Sequence, residues 1–370
     1  MNSKKWERAV VHLECIVDSE DSIAQHEILH RLQLNLNQER ITESEFHSAL
    51  AAIEDRRTPI RDFGTAIFLL HENRRYLLTA KHVVWDELSA TRVMERDAEW
   101  HKSHPPDMQE DAAAYAKKRA QDTIFQKIYR GLSIDEIKGE SKLAFPLMPY
   151  LSHLQIGPTD SFAWSTPASH LDLAVISLDR INTGFAEDLL KSGYTPITVA
   201  DLASEPVSEG EDVYAIGFPI NSHQSPIPVE PSFQNLVAST FALPNSVTGK
   251  VVMSKQELTY FWAVMPINYG NSGGPVIARD KLVGIVSRRR SLTPEILASN
   301  SNFNESDTVG RVTHIRHILP LLRLQQLKDK FEIAKAWRNF EFIQKCRLAG
   351  WDQEMYESLE FMEKWAAGEL

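Results

Sequence analysis

The chain has 370 residues, enough for one large domain with additions or for two domains. Its formal net charge of −10 comes from interspersed acidic and basic residues without a basic tract, which argues against a nucleic-acid partner. The start of the chain has no apolar core of signal-peptide length, and no later run approaches the ~18 apolar residues of a membrane span. The two cysteines lie far apart in sequence, so we expect a soluble cytoplasmic protein without membrane contact.

The amino-terminal part of the chain changes from a strand pattern to a helix pattern. Residues 7–17 (E-R-A-V-V-H-L-E-C-I-V) are rich in β-branched and apolar residues and predict an opening strand. Residues 20–57 carry apolar residues at a period near 3.6, with a capping-box pattern at Thr42 and Glu45. We interpret this segment as a helical insertion between the first two strands, with a role in packing or docking.

Histidines in this insertion raise the question of a metal site. His26 and His30 are four residues apart, on one face of a predicted helix, and His47 follows. No carboxylate–histidine signature accompanies them, so we expect no metal ion.

The next segment predicts a β-hairpin and a second insertion. Residues 63–70 and 76–79 are strand-like, and His82 follows at the loop side, where a rigid scaffold exposes catalytic groups. Residues 88–148 contain a helix-forming run at 112–120, continued by apolar residues including Ile128. We predict helix here, and the insertion fits a lid or substrate arm as well as a surface decoration.

Two later motifs complete a possible catalytic set. Asp172 opens a short apolar strand in residues 170–178 (H-L-D-L-A-V-I-S-L). Ser272 lies in residues 265–277 (M-P-I-N-Y-G-N-S-G-G-P-V-I), where glycines permit a tight turn that exposes the hydroxyl and gathers backbone N–H groups. Alone, this could be a glycine-rich loop between strands. Because a base and a carboxylate occur upstream, in the order His–Asp–Ser, the catalytic interpretation is favoured.

These segments resemble those of trypsin-like serine proteases, and specifically the bacterial HtrA (Deg) branch. That branch carries L-T-x-x-H-V-V, D-[LI]-A-V-[LI] and A-I-N-x-G-N-S-G-G-P, and residues 210–219 (G-E-D-V-Y-A-I-G-F-P) resemble a further strand of it. The resemblance covers roughly residues 8–17, 62–86 and 165–320. It implies a mainly β fold with two six-stranded antiparallel β-barrels, here with helical insertions and a helical C-terminal tail.

The domain organisation follows from the extent of this resemblance. We predict a protease domain over residues 1–322, with helical insertions at about 20–57 and 88–148, and a helical extension over residues 323–370. The extension lacks the strand periodicity of a PDZ domain. Its aromatic residues fit either internal packing or a surface for a partner protein.

The resemblance also implies a role for each site residue. Ser272 attacks the acyl carbon, His82 takes and returns the proton, and Asp172 orients and stabilises the imidazole. The backbone N–H groups of Gly270 and Ser272 form the oxyanion hole. Asn271 replaces the Asp that pairs with a freshly cut amino terminus in extracellular trypsins, so activation by such a cut is not expected. No cofactor is implied.

The primary specificity pocket is predicted from spacing within the same family. Pro266, six residues before the nucleophile, lies at its floor and offers no carboxylate to Lys or Arg. Ser287 and Arg289 belong to the strand that forms a wall of the pocket. We predict a preference for small apolar or acidic residues at the cut position. A solvated cluster of arginines at a strand end is the alternative for Arg289.

The sequence therefore predicts an intracellular serine endopeptidase acting on protein or peptide substrates. The helical segments suggest a regulated effector that meets a protein partner. A protein of the same fold that binds or senses, with latent or lost catalysis, remains the alternative.

Overall fold

A computed structural model describes twelve stretches of the chain. These are residues 3–17, 28, 31–52, 60–85, 127–131, 135, 164–165, 171–179, 184–219, 224–226, 240–291 and 308–337. Within them the fold is mainly β, with a closed six-stranded antiparallel barrel, a second sheet and several helices. The predicted fold class, mainly β with a six-stranded antiparallel barrel and added helices, is confirmed. Of the two predicted barrels, one is closed among these residues, and the other half of the fold is a seven-stranded sheet.

The amino-terminal sheet has seven strands. They are β1 (Val10–Val17), β2 (Ile60–His71), β3 (Arg74–Thr79), β4 (Lys127–Arg130), β5 (Trp164–Ser165), β6 (Ala174–Ser177) and β7 (Ile197–Thr198). Their order in the sheet is β4-β1-β2-β3-β6-β5, with β7 pairing parallel to β2. Strands β2 and β3 form a hairpin, in which His71 pairs with Arg74. Glu72 and Asn73, with φ of 46° and 63°, form the two-residue turn whose twist suits a hairpin.

The second half of the chain forms the closed barrel. The strands of this half are β8 (Asp212–Gly217), β9 (Gln224–Pro226), β10 (Thr240–Ala242), β11 (Asn245–Ser254), β12 (Tyr260–Val264), β13 (Pro275–Ala278), β14 (Lys281–Ser291) and β15 (Thr308–His314). The barrel has the order β11-β12-β15-β14-β13-β8, and strands β9 and β10 pair separately with each other. Strands β13 and β14 are joined by a turn similar to that of the first hairpin, at Arg279 and Asp280, with φ of 51° and 61°.

The two sheets share a hydrophobic core. One cluster of buried side chains joins Ile67 and Leu78 of the first sheet to Ile216, Ile277 and Ile285 of the barrel. Each sheet also has a core of its own. Because burial of apolar area is the main favourable contribution to folding, this shared cluster fixes the sheets against each other.

The C-terminal helix packs against the amino-terminal sheet. Helices are α1 (Ser3–Ala9), α2 (Glu43–Ala52), α3 (Phe185–Lys191) and α4 (Ile318–Trp337). In α4, the almost fully buried Asp329 accepts hydrogen bonds from Arg74 (3.0 Å) and from the Ser177 hydroxyl (2.8 Å). The helix runs without a break through residue 322, the predicted end of the protease domain.

The predicted insertions are partly within the described residues. Residues 31–37 and α2 are helical, and α2 begins with a capping box in which Thr42 and Glu45 exchange hydrogen bonds. In the second insertion, the helix prediction is wrong for Lys127–Arg130, which form β4 and pair with β1. Ile128 and Arg130 are buried there two residues apart, which is the period of a strand. The run 112–120 lies outside the described residues, as does the chain after residue 337.

One boundary prediction at the amino terminus is also wrong. Residues 7–9 belong to α1, and the opening strand starts at Val10. Trp6 of this helix is fully buried in the shared core, so tertiary packing decides its conformation.

Candidate active site

His82 and Asp172 meet because the strands that lead to them are neighbours. His82 lies in the helical turn Lys81–Val84 that follows β3, and Asp172 lies just before β6. Strands β3 and β6 are paired, with Thr79 opposite Ala174. His82 Nδ1 lies 2.7 Å from Asp172 Oδ2, and the His82 backbone N–H donates to Asp172 Oδ1 at 3.0 Å. The carboxylate therefore assigns the ring proton to Nδ1 and leaves Nε2 as an acceptor.

The environment of Asp172 favours its charged form. Burial alone would raise the pKa of this carboxyl group. The hydrogen bond and charge of His82, the Ser287 hydroxyl and the His82 backbone N–H outweigh this effect and hold the pKa of Asp172 below its ordinary value. The side chain of Asp172 is 11% exposed and that of His82 is 38% exposed, so only the histidine faces solvent to a large extent.

Ser287 contributes its hydroxyl to this group. Ser287 Oγ donates to Asp172 Oδ2 at 2.6 Å, and the residue is fully buried. It lies where the pairing of β14 and β15 shifts register, between Val286 and Arg288. Such a bulge re-aims a side chain relative to a regular strand. Ser287 was predicted to lie in a wall of the specificity pocket, and its contact with Asp172 was not foreseen.

The loop that carries Ser272 holds two backbone N–H groups free. Gly270 and Gly273 have φ of 94° and 84°, a region that favours glycine. The N–H groups of Asn271, Gly273 and Gly274 donate to backbone carbonyls. Those of Gly270 and Ser272 donate to no acceptor among the residues that the structure describes. Two unsatisfied donors beside a serine hydroxyl can stabilise an oxyanion.

The serine loop abuts the segment that carries His82. A Cβ atom added at Gly273 would lie 3.1 Å from the backbone nitrogen of Ala80, two residues before His82. Within the described part of the chain, no hydrogen bond joins the Ser272 hydroxyl to His82. In sites without substrate this bond is often long and tightens on binding. The structure thus brings His82 and Asp172 into direct contact and places the Ser272 loop beside them.

Two further residues, Pro266 and Arg289, were predicted for the specificity pocket. Pro266 is exposed in the loop after β12. Arg289 lies in β14, where its backbone pairs with Gly310. The assignment of both residues to the specificity pocket stays a prediction.

Two contacts near the site were missed by the sequence analysis. The hydroxyl of Tyr269, the residue before Gly270, donates to Asp62 of β2, and Thr65 of the same strand bonds to the serine loop. Both contacts join residues more than 200 positions apart. The only signal for Thr65 was its place in the Gly64-Thr65-Ala66 segment, where the HtrA-like proteases carry a small hydroxyl residue.

Metal-binding and membrane-spanning features are not found in the described ranges. No group of three or more His, Cys, Asp or Glu side chains there could hold a metal ion. His47 lies exposed in α2, while His26 and His30 are outside these ranges. None of the helices described has both the length and the apolar character needed to cross a bilayer.

Comparison with known proteins gives a family and distant structural likenesses. The chain is similar to the Rv3671c protease in its inactive form, at 11% identity and a TM-score of 0.36, over 87% of this chain and 90% of that one. It is also similar to AL20, a thermostable serine protease from an extremophilic microorganism, at 11% identity and a TM-score of 0.36, over 84% of this chain and 92% of that one. The serine protease domain of the Sesbania mosaic virus polyprotein is similar at 11% identity and a TM-score of 0.29, over 69% of this chain and 83% of that one.

Likenesses this distant carry no weight for function, and no curated protein sequence matches the chain. The sequence profile of the trypsin-like peptidase domain, in contrast, matches residues 64–285, which is more than half of the chain and includes all three predicted catalytic residues. The chain therefore belongs to the trypsin-like peptidase domain family and is a serine endopeptidase.

Proposed function

We propose that this endopeptidase cuts peptide bonds with Ser272 as nucleophile, His82 as general base and Asp172 as the carboxylate that orients the base. The observation that carries the proposal is the double contact of Asp172 with His82, to the ring and to the backbone, beside the Ser272 loop. Ser287 supports it, because its hydroxyl satisfies the same carboxylate oxygen and keeps Asp172 in place.

The proposed reaction begins with proton transfer. Ser272 Oγ attacks the acyl carbon while its proton moves to His82 Nε2, and the Nδ1–H of His82 stays on Asp172. The tetrahedral intermediate collapses, the C–N bond breaks, and His82 returns the proton to the leaving amine. Water then attacks the acyl-enzyme with His82 as base, which releases the acid and restores Ser272.

The negative charge of the intermediate needs a partner at the moment it forms. We assign this role to the N–H groups of Gly270 and Ser272, which have no other acceptor among the described residues. Each such donor is typically worth ~10²–10³ in rate, because it is aligned before the charge develops.

The substrate preference is proposed from Pro266 and Arg289. Pro266 offers no negative charge for a basic side chain, and a guanidinium at the pocket mouth would favour a carboxylate. We therefore propose cleavage after small apolar or acidic residues. The natural substrate is a protein or peptide.

The location and the control of the enzyme are further proposals. We place it in the cytoplasm, on the basis of its composition, and propose that a protein partner regulates it through the helical insertions or the C-terminal helices. The protease domain would then span residues 1–322, with residues 323–370 as an extension that begins within α4.

The test is cleavage of a peptide library by the wild-type protein and by Ser272→Ala, with the cut sites mapped by mass spectrometry. We expect the wild type to cut after small apolar or acidic residues and Ser272→Ala to cut nothing while keeping its fold, since only the nucleophile is removed. Cleavage chiefly after Lys or Arg would contradict the proposed preference. If acidic residues are preferred, Arg289→Ala should relax that preference.

A latent site is the second candidate function. The observation that favours it is the missing hydrogen bond between Ser272 and His82 in the described structure. In that case the protein would bind peptides without cutting them until a partner aligns the two residues. Absence of cleavage in the library, together with measurable peptide binding, would support this candidate.

A further inference from the structure

Thr65 makes two hydrogen bonds to the serine loop and two to neighbouring segments, at Phe218 and Thr79. It lies on β2 and is fully buried. Its backbone N–H donates to the carbonyl of Ser272 at 2.8 Å, and its hydroxyl donates to the carbonyl of Gly270 at 2.8 Å. One residue of the amino-terminal sheet thus holds two carbonyl groups of the loop that belongs to the barrel.

The Thr65 hydroxyl is itself held in one orientation. It accepts a hydrogen bond from the backbone N–H of Phe218 at 3.2 Å, so its own proton is directed to Gly270. The Thr65 carbonyl accepts from the Thr79 hydroxyl at 2.7 Å. Thr79 ends the strand that leads to His82, so these contacts join both catalytic segments to β2.

The backbone at Gly273 and at Gly217 lies so close to Thr65 that a side chain at either position would crowd it. A Cβ atom added at Gly273 would lie 1.9 Å from the Thr65 carbonyl oxygen, and one added at Gly217 would lie 3.1 Å from its hydroxyl oxygen. Because the loop is pressed against Thr65 without space between them, a rotation of the loop peptides would require these contacts to break.

We propose that Thr65 is a positioning residue for the oxyanion hole, a role that rests on the proposed function. Its two donors fix the peptides 270–271 and 272–273, which lie on either side of the peptide that carries the Ser272 N–H. Without the hydroxyl, the Gly270 carbonyl becomes a buried acceptor that must find another donor. Rotation of that carbonyl turns the neighbouring N–H groups away from the developing charge.

A merely structural hydroxyl would behave differently. Its removal would lower the melting temperature but would leave the reaction rate of the folded protein unchanged. A positioning role predicts a fall in kcat with little change in KM, because the oxyanion exists only in the transition state. The midpoint of the pH–rate profile should stay in place, because Asp172 and His82 keep their contacts.

The test compares Thr65→Val, Thr65→Cys and Thr65→Ser with the wild type. Thr313→Val is the matched control, because it removes a buried threonine hydroxyl from the barrel wall. The readout is the second-order rate of Ser272 phosphonylation by a fluorophosphonate, which needs no known substrate, followed by kcat and KM on a peptide from the library. Melting temperatures are measured for every variant.

We expect Thr65→Val to react about 10- to 100-fold more slowly, somewhat less than the ~10²–10³ lost when an oxyanion donor is deleted outright. Thr65→Ser should keep most of the rate because it keeps the donor, and Thr313→Val should react like the wild type. If Thr65→Val does not fold, Thr65→Cys carries the test, since a thiol is a weak donor and should react more slowly than Thr65→Ser.

The outcomes separate this role from the proposed function. Equal rates for the wild type and Thr65→Val, or equal losses in the serine and valine variants, would overturn the positioning role alone. If Thr65→Cys replaces Thr65→Val in the test, equal rates for Thr65→Cys and Thr65→Ser would also overturn the positioning role. If the wild type does not react at Ser272, the proposed function fails and this role fails with it.

Discussion

Burial of His12 predicts a loss of stability in mild acid. His12 lies on β1, fully buried between the rings of Phe63 (6.0 Å, stacked) and Phe218 (5.1 Å). Neither ring nitrogen has a partner among the described residues. Burial lowers the pKa of His12 from 6.5 to about 4, because a charged imidazole would lose its hydration there.

The sign and size of the effect follow from proton linkage. Between the two pKa values the unfolded chain binds a proton that the folded protein does not, so the free energy of unfolding falls as the pH falls. With pKa values of 6.5 and about 4, the loss from about pH 7 to pH 5 is about 2 kcal/mol, and it approaches about 3 kcal/mol below pH 4. His314, whose pKa is also lowered to about 4, adds a loss of the same sign.

The assay is urea unfolding of the wild type and of His12→Leu at pH 7 and pH 5. The variant cannot take up a proton at this position, so its loss between the two pH values should be smaller than that of the wild type by about 2 kcal/mol. His314→Leu serves as the matched comparison, since it removes a second histidine that is buried. Equal losses in the wild type and His12→Leu would refute the view that His12 is buried and neutral in the folded protein.

Three further outcomes are expected from the geometry of the site and its support. Gly273→Ala should abolish labelling by a fluorophosphonate, because its Cβ would lie 1.9 Å from the Thr65 carbonyl at a φ of 84°; a labelled variant would show that the loop can shift. Asp329→Ala should lower the free energy of unfolding by about 2–3 kcal/mol in urea titrations, since Arg74 loses a buried partner; no change would mean that α4 is not held by this contact. Asp172→Asn should lower kcat by about 10⁴, because an amide cannot hold the required histidine tautomer. Because the pKa of Asp172 is lowered in the folded protein, the charged carboxylate stabilises the fold above its ordinary pKa of 3.8. This stabilisation is lost as the pH falls through the lower native value. The free energies of unfolding of Asp172→Asn and of the wild type should therefore converge only in that acid range.

The parts of the site that local sequence could reveal were the three catalytic segments. A histidine after an apolar strand, an aspartate before one and a serine among glycines each have a local pattern. Together, and in this chain order, they resemble the trypsin-like serine proteases, and that resemblance implied the fold. The contact of His82 with Asp172 depends on the pairing of β3 with β6. The motifs predict that the two residues meet, but they do not give the register of these strands.

The contacts that were missed join distant residues. The bond from Thr65 to Gly270 spans 205 positions, and no periodicity or spacing reports a hydrogen bond across two sheets. The bond from the Ser287 hydroxyl to Asp172 was also not foreseen, because a shift of register in β14 decides where this side chain is aimed. Such shifts depend on the partner strand and not on the residue itself.

The element predictions that were wrong involve short segments. Strand β4 has four residues, too few to show a period of two, and it lies next to a helix-forming run. Residues 7–9 combine with Trp6 in a helix of only seven residues, which would not be stable alone. In both cases packing against the sheet selects the conformation, so local propensity was a poor guide.

The most direct test of the central claim is the site of covalent labelling by a fluorophosphonate. The wild-type protein should gain one adduct per chain, and peptide mapping should place it on Ser272. His82→Ala should label far more slowly, because the base that activates the hydroxyl is absent. An adduct at another residue, or equal labelling of the wild type and His82→Ala, would contradict the assignment of Ser272 as a nucleophile activated by His82.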